Sequence, residues 1–450
     1  TYVYACTEWI EDAFEGKEST HQIYSRLMNP TNISLANAIV DLEAGDQAGA
    51  YLAWNFNSGM AAIDALLSNV LSHGDILIVS RNVYGGVYQL LHDFFARENR
   101  LNVTLAWFDG YSAEEFADHL AHVQQQYADK LAAGNRLHVY IESPCNPHGL
   151  VLDVPGICKL AHAQQLLVML DSTLATPVLH KPLQHADKQC RPDYVVHSYT
   201  KDICGTGTTT AGVVIGENHR MFQPKGTSCE GVDWSQTLFW DVYYIKGAFL
   251  DSEKAFDVLT GMKTLTQRML TKVINTQVFT HFLDSHPHIK VNSHALSHHE
   301  NAGLREQQHS HGWPCALFTA ELDLPELDRV QFARFFDSLE PAFGHQISIG
   351  QTNTLILCPA LTSHSEMSRA EQQKAGIALT TMRIAMGCDC VKSLIAHFVL
   401  ALKQAIDPIH PGFSDSFMAA ARLDELHQRV AAEVHAQYYG SQPTLVEMLK

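Results

Sequence analysis

Between about residue 50 and residue 216, short apolar runs alternate with longer stretches whose apolar positions recur every three or four residues. The runs predict strands at 75–80, 102–109, 137–143, 166–171, 193–198 and 211–216. The stretches between most of them predict helices, for example at 61–70, 87–98 and 112–132. The last of these opens on a capping box, Ser112 followed by Glu115. Strands that are apolar throughout and separated by helices imply an α/β fold with a mainly parallel sheet covered on both faces. In such a sheet a ligand sits outside the carboxyl ends of the strands. A helix-like stretch then runs from 252 to 284. A second α/β region covers 313–406, with strands expected at 316–320, 346–349, 354–358 and 382–386. Upstream, Asn29-Pro30-Thr31 marks a turn before helical spacing from Ile33 to Leu42. Residues 415–438 read as an amphipathic helix carrying Phe417, Leu423, Leu426, Val430 and Val434 on its packing face. The expected organisation is an N-terminal arm (1–40), a large domain (41–250), a smaller α/β domain (251–407) and a helical tail (408–450).

Composition narrows the function. Hydrophobic residues make up 46% of the 450, and charged residues only 18%, below the roughly 25% of ordinary soluble chains. Such a chain buries a large core. Its net charge of −17 repels phosphate backbones and anionic lipid, so neither nucleic acid nor a membrane surface is expected as partner. No run reaches the roughly 18 apolar residues of a membrane span, and no signal peptide opens the chain. The first residue is not Met, which points to a missing or processed N-terminus. Ten cysteines without a CxxC pair suit a reducing cytoplasm and give no metal motif.

The chemistry gathers at predicted strand ends. The strand at 166–171 ends in Asp171-Ser172-Thr173, and a buried acid there needs a cationic or hydrogen-bonding partner. The strand at 193–198 leads into His197-Ser198-Tyr199-Thr200-Lys201. A lysine amine forms a Schiff base with a carbonyl cofactor. Hydroxyls one and three positions before it suit a phosphate, and a carboxylate such as Asp171 suits a protonated pyridine nitrogen. Lys201 alone would be an ordinary loop lysine, and Asp171 alone a turn residue. Placed together at two strand ends they read as a pyridoxal-phosphate site. Asn57-Ser58-Gly59-Met60 before an Ala-rich helix offers free N–H groups to an anion. Tyr84, in Arg81-Asn82-Val83-Tyr84-Gly85-Gly86, either packs in the core or stacks on a flat ring. A nucleotide-binding dehydrogenase would need GxGxxG after an early strand, and none follows one here.

Over residues 5–406 the chain resembles the cysteine/methionine-metabolism, or trans-sulfuration, family of pyridoxal-phosphate enzymes. The motifs that carry the resemblance are Tyr24-Ser25-Arg26 with Asn29-Pro30-Thr31, Ser58-Gly59-Met60, Tyr84-Gly85-Gly86, Glu142-Ser143-Pro144-Cys145-Asn146-Pro147, Asp171-Ser172-Thr173-Leu174-Ala175-Thr176-Pro177, His197 to Lys201, and Gly261-Met262-Lys263-Thr264-Leu265 with Arg268-Met269. The resemblance implies fold type I of the pyridoxal-phosphate transferases. It implies that Lys201 holds the cofactor and shuttles protons, that Asp171 pairs with the ring nitrogen, and that Tyr84 stacks on the ring. Asn146 would lie by the ring hydroxyl and the substrate carboxylate. Gly59, Met60, Ser198 and Thr200 would bind the phosphate. Tyr24 and Arg26 would reach the phosphate of a neighbouring subunit, so the active unit would be a homodimer, usually paired into a homotetramer. Arg383, assisted by Ser348, would clamp the α-carboxylate of a small amino-acid substrate.

The chain departs from the family pattern at Ser172, at Gly205-Thr206-Gly207 and at Ser348-Ile349-Gly350-Gln351-Thr352-Asn353. Ile347 stands where relatives that take cystathionine tend to carry Glu or Tyr. An apolar residue there resembles the methionine γ-lyase and homoserine sulfhydrylase branches, or is simple wall packing. The expected reaction is γ-replacement on an O-activated homoserine, with γ-elimination close behind. Cystathionine γ-synthase or C–S β/γ-lyase activity is the alternative, and a catalytically silent binding protein the remote one. The histidines 281, 286, 288, 294, 298, 299, 309 and 311 lie among polar residues and read as a surface connection, without the fixed spacing of a metal site.

Overall fold

The computed structural model describes residues 3–15, 25–229, 232–362 and 378–442. The chain divides into two compact units. The first runs to Asn146 and resumes over Val151–Leu265; the second takes Pro147–Leu150 and continues from Thr266.

The first unit is built on strands β1 (Tyr51–Phe56), β2 (Ile76–Ser80), β3 (Thr104–Phe108), β4 (Leu137–Glu142), β5 (Val168–Asp171), β6 (Tyr194–His197) and β7 (Gly212–Glu217). Among the described residues they form a seven-stranded sheet in the order β1-β7-β6-β5-β4-β2-β3. Only β7 runs against its neighbours. The carboxyl ends of β1, β2, β4, β5 and β6 therefore share one edge. A short ribbon, β8 (Ser228–Cys229) with β9 (Val232–Asp233), lies apart from this sheet.

Strand parity decides which side chains face which layer. Val79, Tyr140, Met169 and Val196 pack with Ala62, Ile63 and Leu66 of the helix Gly59–Val70. Ile78, Ile141, Val168 and Leu170 pack on the other face with Phe116, Leu120 and Ile157. Continuing that alternation puts Glu142 and Asp171 on the side of Gly59–Val70, and the two are paired across β4 and β5.

Strand β1 was not expected, because Asn55 interrupts its apolar pattern. The interruption is satisfied inside: Asn55 Nδ2 donates to Asn32 O at 2.9 Å, and its Oδ1 accepts from Tyr199 Oη at 3.1 Å. The helix expected from Ile33 runs Pro30–Ala44, with the Asn29 side chain capping Asn32 N. From its last turn, Glu43 Oε1 meets His197 Nε2 at 2.5 Å, both side chains being wholly buried.

The second unit holds a five-stranded sheet made of β10 (Ile289–Asn292), β11 (Leu317–Leu322), β12 (Gly344–His345), β13 (Leu355–Leu357) and β14 (Thr381–Ala385), in the order β10-β11-β14-β13-β12. The stretch 252–284 is two helices, Ser252–Met262 and Leu265–Asp284, broken at Lys263-Thr264. The strand expected at 346–349 is instead an irregular loop. Its Ile347 and Ser348 carbonyls accept from Arg383, and Gly350 turns the chain at φ 79°. The tail helix is Ala420–Gly440, burying Leu426, Val430 and Val434. Phe417 lies ahead of it, stacked on Phe282 at 4.3 Å.

The histidine tract is not the surface connection expected of it. His286, His294 and His309 are buried, and each is bonded to main chain: Phe413 O, Cys315 N and Trp313 O respectively. Their rings fill interior volume while their nitrogens satisfy backbone groups, a role that composition does not display.

Removing the Glu43 carboxylate leaves the His197 ring nitrogen buried and unmatched, which costs about 1–3 kcal/mol. Glu43→Ala is therefore expected to lower the denaturation midpoint, with Glu43→Gln intermediate. An unchanged midpoint in both variants would contradict this placement.

Candidate active site

Four strand-end segments and one helix start build the site in the first unit. The helix Gly59–Val70 is capped by Ser58, whose Oγ accepts from Ala61 N at 3.1 Å. The first turn of a helix leaves N–H groups without intrahelical partners, and here they belong to Gly59 and Met60. Ser198 is pressed against this start. A Cβ on residue 59 would stand 2.7 Å from Ser198 Cβ and 2.8 Å from its Oγ. Only glycine lets the serine hydroxyl and the helix N-terminus share one cradle, and backbone dipole and hydroxyl together suit a phosphate.

Tyr84 is about half exposed and precedes the helix Gly85–Leu90. Its ring lies back over Gly86, where a Cβ would stand 2.6 Å from Tyr84 Cε1 and 3.2 Å from Met60 Sδ. The ring is thus placed beside the helix start. Its backbone N–H donates to Glu142 Oε2 at 2.7 Å. The same carboxyl accepts from the backbone of Asn146. Glu142 therefore fixes two strand-end loops at once. Sequence reasoning quoted it in a motif without giving it a role; a buried acid ending β4 was the available signal.

Asp171 ends β5 and is buried. Its Oδ1 accepts from Thr173 N at 3.0 Å, and Thr173 Oγ1 in turn accepts from Ser198 N at 2.8 Å. Thr173, also given no role from sequence, couples the acid to the phosphate cradle. Desolvation raises the Asp171 pKa, against the opposing hydrogen bonds of Thr173. Desolvation and the neighbouring Asp171 charge push Glu142 well up. Two carboxyls side by side in a dry site call for a cation.

Lys201 is half-buried in a turn locked at both ends, with its N–H on Ser198 O at 3.2 Å and its carbonyl accepting from Gly205 N at 2.8 Å. The Thr200 hydroxyl bonds Ala211 in both directions, donating to its carbonyl at 3.2 Å and accepting from its N–H at 3.1 Å. It shapes the lysine turn, so a phosphate contact would have to be made in addition to these bonds. Arg26 Nη1 donates to Tyr244 O of its own chain at 3.0 Å. Tyr24 lies outside the described residues.

Within the second unit Arg383 is buried on β14, and its Nη2 donates to Ile347 O at 2.7 Å and to Ser348 O at 3.4 Å. The loop that carries these carbonyls is pinned further by Lys272 Nζ to Gln351 O and by Cys388 N to Thr352 O, each 2.6 Å. The Ile347 side chain is 73% exposed.

A dry carboxylate, a helix-start cradle that any Cβ would fill, a half-exposed aromatic ring and a lysine at the next strand end fit pyridoxal 5'-phosphate. The class defined by this fold and site is a pyridoxal-phosphate enzyme of fold type I. Residues 1–403 match the family of Cys/Met metabolism PLP-dependent enzymes, and the chain belongs to that family. It is 30% identical to L-methionine gamma-lyase from Fusobacterium nucleatum subsp. polymorphum, over 86% of this chain and 87% of that one. It is 28% identical to O-acetyl-L-homoserine sulfhydrylase from Leptospira meyeri, over 90% of each. Cystathionine gamma synthase from Xanthomonas oryzae pv. oryzae superposes with a TM-score of 0.70 at 26% identity, over 85% of this chain and 87% of that one. A Campylobacter jejuni structure that carries N'-pyridoxyl-lysine-5'-monophosphate superposes with a TM-score of 0.72 at 27% identity, over 90% and 93%.

The Asp171 shift makes a signed prediction for the cofactor-free protein. Unfolded, this acid titrates near the ordinary aspartate value of 3.8; folded, it keeps its proton to higher pH. The folded state then binds more protons than the unfolded one, so the Asp171 contribution to stability falls as pH rises from that value through the folded pKa. Cofactor-free Asp171→Asn should gain stability over wild type as pH is raised from 4 towards neutrality, while binding cofactor more weakly. A pH-independent difference between the two denaturation midpoints would contradict the assignment.

Proposed function

We propose that the chain acts at the γ-carbon of a small amino acid, replacing the O-linked substituent of an activated homoserine with a thiol. The observation that carries this reading is Ile347, an apolar side chain largely exposed beside the carbonyl that takes Arg383. It offers no charge or hydroxyl to a distal amino-acid group such as that of cystathionine. γ-Elimination is the second reading, favoured by the methionine gamma-lyases among the relatives.

In this proposal bound pyridoxal 5'-phosphate supplies an electron sink conjugated to the substrate's Cα. Asp171 would face the protonated ring nitrogen, whose positive charge would offset the desolvation of the carboxylate. Gly59, Met60, Ser198 and Thr200 would hold the phosphate, Thr200 also keeping the Lys201 turn in shape. Lys201 takes the proton from Cα and returns one where it is needed, a role suited to an amine on a short locked turn. Tyr84 covers the ring, and its hydroxyl is within the reading as a proton carrier at the γ position. Asn146 and Arg383, with Ser348 beside the latter, orient the α-carboxylate. Tyr24 and Arg26 serve a neighbouring subunit, so the working unit is a homodimer, paired into a homotetramer. The exposed Trp9, Phe14, Ile245 and Phe256 support a partner copy. A cytoplasmic setting belongs to the same proposal; among the described residues no disulfide forms, and no helix is long and apolar enough to cross a membrane.

Product analysis with O-acetyl- and O-succinyl-homoserine, methionine and cystathionine, with and without added thiol, tests the reading. The expected result is thiol-dependent replacement on an O-acylhomoserine as the fastest reaction. Preferential turnover of cystathionine would contradict it. Lys201→Ala should lose at least about a thousandfold in kcat, the scale of a lost proton carrier, with the fold retained by circular dichroism. Retention of activity by that variant would end the proposal.

A further inference from the structure

In the second unit Asn292 on β10 pairs with Thr319 on β11, and Thr319 pairs with Arg383 on β14. Directly paired residues share one face of a sheet, with Cβ atoms about 4.5–5.5 Å apart. Asn292, Thr319 and Arg383 therefore form one row. Over this row lies His148, delivered by the segment Pro147–Leu150, which the second unit takes from the chain. Gly149, at φ 71°, lets that segment settle on β11 with its Cα against the Leu317 carbonyl. His148 and Thr319 are both buried.

The hydrogen bonds of this row fix a direction. Asn301 N donates to His299 Nδ1 at 3.1 Å, so neutral His299 carries its proton on Nε2. Burial lowers the His299 pKa, which favours that neutral form. His299 Nε2 then donates to Asn292 Oδ1 at 2.9 Å. This orients the amide, and Asn292 Nδ2 donates to His148 Nδ1 at 3.2 Å. His148 Nδ1 is then the acceptor, its single lone pair shared between the Asn292 amide and the Thr319 hydroxyl, which donates from 2.9 Å. One backbone amide thus sets the tautomer of His148 and the rotamer of Thr319, the residue directly opposite Arg383.

We propose that His148 is a positioning residue for substrate binding, holding Thr319 and through it the stem of Arg383. The inference rests on the reading of Arg383 as the carboxylate clamp. The arginine is anchored at its tip by Ile347 and Ser348 carbonyls, and the His148–Thr319 pair, standing directly opposite it in the sheet, would brace it where it leaves the strand. The class of ligand served is the α-carboxylate of an amino acid. His148 touches no reacting atom, so its loss acts on substrate affinity and leaves the chemical step in place.

The test compares KM and kcat for the best amino-acid substrate in wild type, His148→Phe, His148→Gln, Arg383→Ala and the double variant His148→Phe/Arg383→Ala. His148→Phe is expected to raise KM roughly tenfold, the usual range for coupled neighbours, with kcat within about threefold. His148→Gln, which keeps an acceptor for Asn292, should recover most of the loss. The double variant should show the KM of Arg383→Ala alone. An unchanged KM in His148→Phe, or effects that multiply in the double variant, would overturn the role of His148 while leaving Arg383 as the clamp. An unchanged KM in Arg383→Ala would overturn the clamp itself. Should His148→Phe fail to fold, a neutron structure of the wild type decides: a bare Nδ1 with the proton on Nε2 supports the relay, and a protonated Nδ1 refutes it.

Discussion

A carboxylate at the inner end of a buried strand is the constraint around which this molecule is arranged. Taking an ion out of water costs several kcal/mol unless something answers its charge. The fold buries two such groups side by side, Asp171 on β5 and Glu142 on β4. Glu142 is answered by backbone N–H groups of Tyr84 and Asn146. Asp171 is answered in part, by Thr173 and, more weakly, by His197 and the Tyr140 hydroxyl. In the proposed site the remainder is what a protonated pyridine nitrogen would supply. Bound there, the cofactor would relieve an unfavourable feature of the fold, and binding and electronic tuning would become one interaction.

The other parts follow from that placement. Thr173 ties the acid to Ser198, Ser198 closes on the helix start at Gly59, and Met60 meets the Tyr84–Gly86 turn. The lysine turn is closed by Thr200 and Ala211 and by the Ser198 carbonyl, so the residue that shapes the cradle also holds the turn. The chain leaves the first unit at Asn146 and enters the second at Pro147. Within a few residues it serves Glu142's loop and then the row that includes Arg383.

Much of this was legible in the sequence, because strands apolar on both faces give a parallel sheet, and a parallel sheet says where to look. Lys201, Asp171, Gly59 and Tyr84 all stand at the edge so predicted. What was not legible are features set by partners distant in the chain. Asn55 hid β1, since its amide is satisfied by Asn32 and Tyr199 rather than by water. Residues 346–349 have strand-like composition, yet their carbonyls go to Arg383. That Thr200 also bonds Ala211 was hidden as well, because it depends on the approach of the strand after the lysine turn. His294 and His309 looked like surface residues among polar neighbours, and they are core groups bonded to backbone. His148 carried no signal at all; its meaning depends on the pairing of β10, β11 and β14.

In the proposed site Asp171 would keep the cofactor ring nitrogen protonated. The most direct measurement is the 15N chemical shift of that nitrogen in the wild-type protein loaded with 15N-labelled pyridoxal 5'-phosphate. The account predicts a protonated, pyridinium-like shift at neutral pH that persists as the pH is raised by several units. A neutral, pyridine-like shift at pH 7 would contradict it.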